Sequence, residues 1–505
     1  MTEGLRYARE AVEVLALFFV FALGCLLAAV IVMYIVDVTQ SRHAIRRNFP
    51  VVGRFRYLFE HLGEFFRQYF FALDREEMPF NRAERSWVYR ASKGVDNTVA
   101  FGSTRRLDTV GTLLFVNGAY PPLEHEAQAA PAVTFGPDLP HPYTTDSIIN
   151  VSAMSYGAIS RPAVEALSNG ARMAGIWLNT GEGGVSPYHL HGGGDLVWQL
   201  GTAKFGACDE DGDLDDDRFR RQAAHTSVKM IEIKLSQGAK PGKGGILPGE
   251  KVTAEIAEIR GIRTGQDALS PNRHPDVSSA ADLLDLIDRL RTLSGKPVGI
   301  KAVIGSTDWL VELFELIRLR GAAAAPDFIT VDGAAGGTGA APLSLIDYMG
   351  LPLRESLPTV VDLLHSYGLR DRIRVIASGK LITPAEVAWA LSMGADFANS
   401  ARGFMFSLGC IQALQCNKNT CPTGITTHDK RLQRGLDPTH KAERVRRYAE
   451  QIKKEVGIIA HSCGVSHPRL LRREHCRIVQ EDGRSIPMSQ LYPEVSGSLS
   501  WRQSA

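Results

Sequence analysis

Phe328-Ile329-Thr330-Val331-Asp332-Gly333-Ala334-Ala335-Gly336-Gly337-Thr338-Gly339 is a short apolar run that breaks off into glycine. Its length and branched side chains are those of a buried strand, and the glycines suit backbone brought close to a ligand. The same pattern recurs on both sides of it. Upstream, strands are predicted over 150–154, 177–180, 197–202, 230–234 and 298–303; downstream, over 375–377 and 397–399. Helical spacing lies between them at 162–174, 280–293, 309–320, 359–367 and 384–392. An unbroken succession of eight such units predicts an α/β fold of the (β/α)8 TIM-barrel type rather than a doubly wound sheet.

In such barrels the reactive groups stand at the C-terminal strand ends. There this chain has Met154-Ser155-Tyr156-Gly157, then Glu182 within Gly181-Glu182-Gly183-Gly184, then Lys234 with Gln237 and Lys240 following. Lys301, the loop from Gly333 through Gly337, Ser378-Gly379 and Arg402-Gly403 come next. Loops after the seventh and eighth strands commonly hold phosphate on backbone N–H groups, which suits Ser378, Gly379 and Arg402. Lys234 and Lys301 lie inside apolar strands, an unusual place for a charge without a function.

Cys410, Cys416 and Cys421 follow the barrel on a C-x5-C-x4-C spacing, with Pro422 after the last. Grouped thiolates suit a soft metal centre. Three thiolates fit a cluster with one corner missing, such as [3Fe–4S]; zinc with His428 as fourth ligand and plain buried cysteines are the alternatives. Spacing leaves all three open. Other signals are weaker. Gly333–Gly339 has the wrong spacing for a dinucleotide fingerprint, and Gly244 follows Lys243 where a phosphate-binding P-loop needs Ser or Thr. The acidic run from Asp209 to Asp217 lacks the calcium-loop pattern. His189 and His191 read as loop residues.

The chain has 505 residues, 44% apolar and 22% charged, with a formal charge of +2. That is a globular composition with no basic stripe, so a nucleic-acid partner is excluded. Residues 14–36 form an apolar segment, uncharged from Val14 to Ile35, predicted to be a single transmembrane helix after a flank at 1–13. Arg6 and Arg9 precede it; Arg42, Arg46, Arg47, Arg54 and Arg56 follow. The positive-inside rule then puts the catalytic part on the cytoplasmic side of an inner membrane. In the juxtamembrane region 37–84, Leu58, Phe59, Leu62, Phe65, Phe66, Tyr69 and Phe70 recur at helical spacing. That face would lie on the membrane surface or pack on the catalytic domain. The domain expected at 85–465 includes the cysteine loop 410–421, and 466–505 reads as a tail. Seven cysteines, three of them clustered and one in the apolar segment, fit a reducing cytosol better than a disulfide framework.

Read together and in order, MSYGAIS (154–160), GEGG (181–184), IKLSQGAKPGKGG (233–245), DGAAGGTGAAP (332–342) and C-x5-C-x4-CPTGITT (410–427) resemble the synthase domain of glutamate synthase. The resemblance covers roughly residues 85 to 465. It implies an FMN-binding barrel with a [3Fe–4S] cluster, an oxidoreductase acting on CH–NH2 donors. The reaction implied is reduction of 2-iminoglutarate, formed from 2-oxoglutarate and ammonia, by hydride from reduced flavin. Cys410, Cys416 and Cys421 match the cluster ligands, which makes His428 a loop residue. Lys240, Arg260 and Ser279 match 2-oxoglutarate ligands, and Lys234 and Glu182 fall at catalytic positions, Glu182 facing incoming ammonia. Met154, Ser155, Gln237, Lys301, Gly333, Gly337, Ser378, Gly379 and Arg402 would surround the flavin.

Two departures stand out. Lys243 and Ile246 replace a Glu and a Gln of the family pattern, and Ile removes a hydrogen-bonding side chain from a substrate-contacting position. The chain also lacks an amidotransferase domain. Ammonia would then be free or come from a glutaminase partner, and electrons from a separate donor protein. The alternatives are the same chemistry on another amine or oxo acid, as in N-methylglutamate synthase, or a membrane-tethered flavin and Fe–S relay that aminates nothing.

Overall fold

The computed structural model describes residues 2–209 and 211–495, so Glu210 of the acidic run and the end of the C-terminal segment lie outside the described residues. The side chain of Phe65, part of the aromatic pattern above, lies outside them too. The chain forms two compact units, Met1–Ala83 and Glu84–Ala505.

The second unit is built on eight parallel strands: β1 (Ile149–Val151), β2 (Leu178–Asn179), β3 (Leu196–Leu200), β4 (Val228–Lys234), β5 (Val298–Ala302), β6 (Phe328–Asp332), β7 (Arg374–Ser378) and β8 (Phe397–Ser400). They pair in sequence order and close when Ala398 of β8 meets Ile149 of β1. Each falls on a predicted strand. β1 is shorter than expected, ending at Val151, although the Ser152 and Met154 amides still donate to the Ser400 and Asn179 carbonyls at 3.0 and 3.3 Å.

Aromatic side chains close the other end. Phe328 and Phe397 open their strands and Trp177 precedes β2. A hairpin of Val133–Phe135 with Tyr143–Thr145 adds Phe135 and Tyr143 to the same buried cluster. Phe135 stacks on Phe397 at 5.0 Å and meets Phe328 edge-on at 5.6 Å. A plug this apolar seals the N-terminal end and leaves the polar residues to the C-terminal mouth.

The helices follow the predicted pattern with one extension. Leu353–Ser366 starts earlier than its spacing suggested and contains Pro358. A helical proline frees the carbonyl four residues back, and the Tyr492 hydroxyl donates to that Arg354 oxygen at 3.2 Å. Tyr492 belongs to the segment beyond 465, which also pairs Cys476–Val479 with Leu113–Phe115 and with Ser485–Pro487. The expected tail is thus part of the fold.

In the first unit the helix Thr2–Thr39 is long and apolar enough to cross a membrane. A second helix, Gly53–Phe66, continues into a wider π-helical turn at Arg67–Phe71.

Candidate active site

Side chains alternate along a strand, so Glu232 and Lys234 of β4 both point into the barrel. The Lys234 ammonium lies 3.0 Å from Glu182 Oε2 and donates to Gln237 Oε1 at 2.9 Å. Glu182 is held on its loop by close backbone packing. Gly181 has φ +67°, and a Cβ there would stand 2.6 Å from the Ser155 nitrogen. Gly245 crosses the carboxylate so tightly that a Cβ would lie 2.3 Å from Glu182 Oε1. At Gly181 only glycine serves, since both the backbone angle and the neighbouring backbone exclude a side chain.

Two more cations converge on this pair. Lys240 is buried, with the Ala340 carbonyl at 3.5 Å. Arg260 ends the helix Ala254–Arg260 and stacks over Phe205, and its Nη2 lies 3.4 Å from both Ser155 Oγ and the Tyr156 carbonyl. Arg260 Nε is buried with no hydrogen-bond partner among the described residues. Burial pulls Arg260 down to about 10, and burial together with the charge of Lys234 pulls Lys240 down to about 8. For Glu182, burial works upward, but the charge and hydrogen bond of Lys234 outweigh it, with Lys240 and Arg260 adding, and keep the carboxyl below its ordinary range.

Across the mouth, Lys301 sits opposite Lys234 in register and pairs with Asp332 Oδ2 at 3.3 Å. Burial lowers the Lys301 pKa, yet the charges of Asp332 and Glu232 raise it overall. Asp332 also accepts from the Gly238 amide at 2.9 Å, Gln237 donates to the Gly337 carbonyl at 2.7 Å, and Arg402 donates to the Ala335 carbonyl at 2.7 Å. The Gly333 amide donates to the Ser378 carbonyl at 2.8 Å. Gly379, at φ +128°, passes so near that its Cβ would be 3.2 Å from the Gly333 nitrogen. The predicted residues of these four loops are thereby knitted into one cradle.

Glu232 is the member that reading the sequence missed. It accepts from Asn179 and Gln199 at 2.7 Å each and from Thr330 at 2.6 Å, all of them buried. Asn179 in turn accepts from the Gly181 amide, so the hub anchors the Glu182 loop. An acidic residue two before Lys234 in an apolar strand was the available signal. Around the mouth, buried Lys234, Lys240, Arg260 and Lys301, with half-buried Arg402, outnumber Glu182, Glu232 and Asp332. A water-poor site with excess cations suits bound anions, and a flavin phosphate and a dicarboxylate both fit it.

The remaining expectations fall elsewhere. Met154 lends its carbonyl to His189 Nε2 at 3.2 Å, while Ser186 Oγ holds the other ring nitrogen at 2.8 Å. Burial keeps that imidazole neutral, near pKa 4, so His189 is a loop latch. Ser279 is exposed and caps the helix Ala280–Ser294, accepting from the Asp282 amide at 3.2 Å. In the acidic run, Asp215 caps the helix Asp216–Ala223.

Among the described residues no three His, Cys, Asp or Glu side chains form a ready metal site. The cysteine loop nevertheless has the donor chemistry of an Fe–S site. The Gln412 amide donates toward Cys410 Sγ at 3.4 Å, and Thr423 Oγ1 lies 3.3 Å from Cys421 Sγ. Lys251 joins the loop to the barrel, reaching the Cys416 carbonyl at 3.2 Å and the Ala158 carbonyl at 3.0 Å. Burial raises Cys410 to about 12, with Cys416 and Cys421 adding to the shift, so the three thiols sense one another. His428 Nε2 is 2.8 Å from the Gly157 carbonyl, which engages it as a loop residue.

Residues 122–466 match a family model described as "Conserved region in glutamate synthase". The chain is 39% identical over 499 residues to the glutamate synthase large subunit-like protein YerD of Bacillus subtilis, covering 91% of this chain and 94% of that one. It is 36% identical over 312 residues to an archaeal-type glutamate synthase (NADPH) of Thermotoga maritima, covering 61% of this chain and 58% of that protein. The chain thus spans less than two thirds of that relative's length. Among solved structures, a mandelate oxidase aligns with a TM-score of 0.44 at 14% identity, over 78% of this chain and 92% of that one.

Proposed function

Because the chain belongs to the glutamate synthase family, we propose that it is a membrane-anchored oxidoreductase that reductively aminates a 2-oxo acid, converting 2-oxoglutarate and ammonia to L-glutamate. Glutamate synthase-type oxidoreductase chemistry on an FMN barrel comes with the family. The observation that carries the finer reading is the Glu182–Lys234 ion pair flanked by buried Lys240 and Arg260.

Lys240 and Arg260 bind the carboxylates of the oxo acid, with Arg260 Nε free to take one oxygen. Lys234 donates a hydrogen bond to the substrate carbonyl and then to the imine, and stabilises the charge that develops there. Glu182, kept ionised by Lys234, receives incoming ammonia and takes its proton on Oε1, the oxygen turned away from the ion pair. Met154, Ser155, Gln237, Lys301, Gly333, Gly337, Ser378, Gly379 and Arg402 would hold FMN. Bound there, FMN supplies the hydride. Cys410, Cys416 and Cys421 would hold a [3Fe–4S] cluster, which supplies single electrons; their donor set and nearby N–H and hydroxyl groups fit such a cluster. Electrons come from a separate donor protein, and ammonia from solution or a glutaminase partner. The helix Thr2–Thr39 crosses the inner membrane once and leaves the barrel in the cytoplasm, on the side of the arginine excess.

One observation favours a second reading. Ile246 stands where the family pattern has a hydrogen-bonding Gln and is 40% exposed, so the segment after Gly245 lacks that polar side chain. The second reading is the same chemistry on another amine, such as methylamine, or on another oxo acid.

Anaerobic stopped-flow absorbance on photoreduced protein tests these readings. Mixing with 2-oxoglutarate and ammonium is expected to reoxidise the flavin rapidly and yield glutamate. Reoxidation with methylamine but not ammonium would establish the second reading. Inertness toward every oxo acid and amine would leave only a non-aminating relay.

A further inference from the structure

Among the described residues before 84, one charged side chain is buried. Asp37, near the end of Thr2–Thr39, is 1% exposed although the rest of that helix is bare. Arg54 closes on it with two hydrogen bonds of 2.8 Å, Nε to Oδ2 and Nη2 to Oδ1, and the Val51 amide donates to Oδ2 at 3.0 Å. Arg46 lies over the Tyr57 ring at 4.6 Å and His43 meets the same ring edge-on. A two-pronged guanidinium–carboxylate pair fixes direction as well as distance. Residues 37–57 therefore form a set elbow, and the helix Gly53–Phe66 leaves the apolar helix at a fixed angle.

From the elbow onward, large apolar side chains face outward. Phe55 and Phe59, four residues apart on one helical face, are 54% and 65% exposed, and Val52 just before the helix is 68% exposed. Phe70 and Phe71 on the following turn are 68% and 73% exposed. Arg56 and Arg67 are interleaved with them, and Arg42 and Arg47 come just before. An aromatic stripe with an arginine fringe, starting soon after the uncharged run Val14 to Ile35 ends, matches the chemistry of a lipid headgroup layer.

We propose that the segment Gly53–Phe71 lies in the headgroup layer of an anionic membrane leaflet, its aromatic stripe toward the acyl chains, and that the Asp37–Arg54 clamp sets this orientation. The proposal rests on reading Thr2–Thr39 as a membrane anchor. Continuity with that helix favours lipid over a protein partner, because the clamp holds the stripe at the depth where the apolar run stops.

The test places photoreactive benzoylphenylalanine at Phe59 or Phe70 in the full chain, reconstituted in vesicles of phosphatidylcholine and phosphatidylglycerol. Illumination is expected to give lipid adducts at both positions, with yields falling severalfold in vesicles of phosphatidylcholine alone. Asp37→Asn is expected to cut the adducts severalfold; Arg54→Lys, which keeps the charge and loses the fork, does the same if the first variant is not produced. Adducts only to residues beyond 83 or to a second protein would overturn the lipid assignment, and unchanged adducts in both variants would overturn the clamp. Alkaline carbonate extraction reports separately on the anchor: release of the chain refutes a membrane span, while the Phe59 adducts still report on the surface helix.

Discussion

Lys240 is a lysine that burial and a like charge have made weakly basic, holding a proton only below about pH 8. An anion bound against it depends on that proton. Binding of 2-oxoglutarate to the oxidised protein, followed by the flavin spectrum without ammonia, is therefore expected to weaken roughly tenfold per pH unit above about pH 8. Lys240→Arg should flatten this profile, since a guanidinium stays charged there. A flat profile in the unaltered protein would remove Lys240 from the carboxylate site. At this scale the sequence was readable where one side chain broke a local pattern: Lys234 and Lys301 stood out as charges in apolar strands. Glu232 did not, because its partners Asn179, Gln199 and Thr330 come from three other strands and meet only once the barrel closes. Ser279 has a local role that the motif match did not show, capping a helix by accepting from the Asp282 amide, which leaves its O–H able to donate.

Elements were legible through their period, and their ends were not. All eight strands fall where apolar runs end in small residues, but β1 ends at Val151 while Ser152 and Met154 keep backbone hydrogen bonds to β8 and β2. Pro358 hid the first turns of its helix because the carbonyl it orphans is satisfied by Tyr492, far along the chain. Packing between elements was also invisible. Gly170, on the helix Arg161–Ala174, lets the helix Pro438–Ser462 approach until a Cβ would lie 2.5 Å from Val445 Cβ and 2.7 Å from the Ala442 carbonyl. Backbone cannot yield as a side chain can, so Gly170→Ala is expected to destabilise the barrel by about 1–3 kcal/mol, overpacking outweighing alanine's better helix propensity. Thermal unfolding would show it, and an unchanged midpoint would mean the helices slide apart at little cost.

For the whole molecule, the division at Glu84 leaves the second unit with its own plug, barrel and charged mouth. A chain beginning at Glu84 is expected to fold without detergent and keep the far-ultraviolet circular dichroism of the barrel. Aggregation in every detergent-free buffer would show that the first unit contributes to folding and not only to location. Barrel closure also has a consequence in time. The last strand pairs with the first, Ala398 with Ile149, about 250 positions apart, and the apolar helix is made about 360 residues before β8. At roughly 5–20 residues per second, synthesis leaves β1 with an unpaired edge for an interval on the order of 10–50 s, all of it after that helix has been made. Under the proposed membrane span, delivery to the membrane would precede completion of the barrel, and for that interval the nascent chain would depend on whatever shields an open sheet.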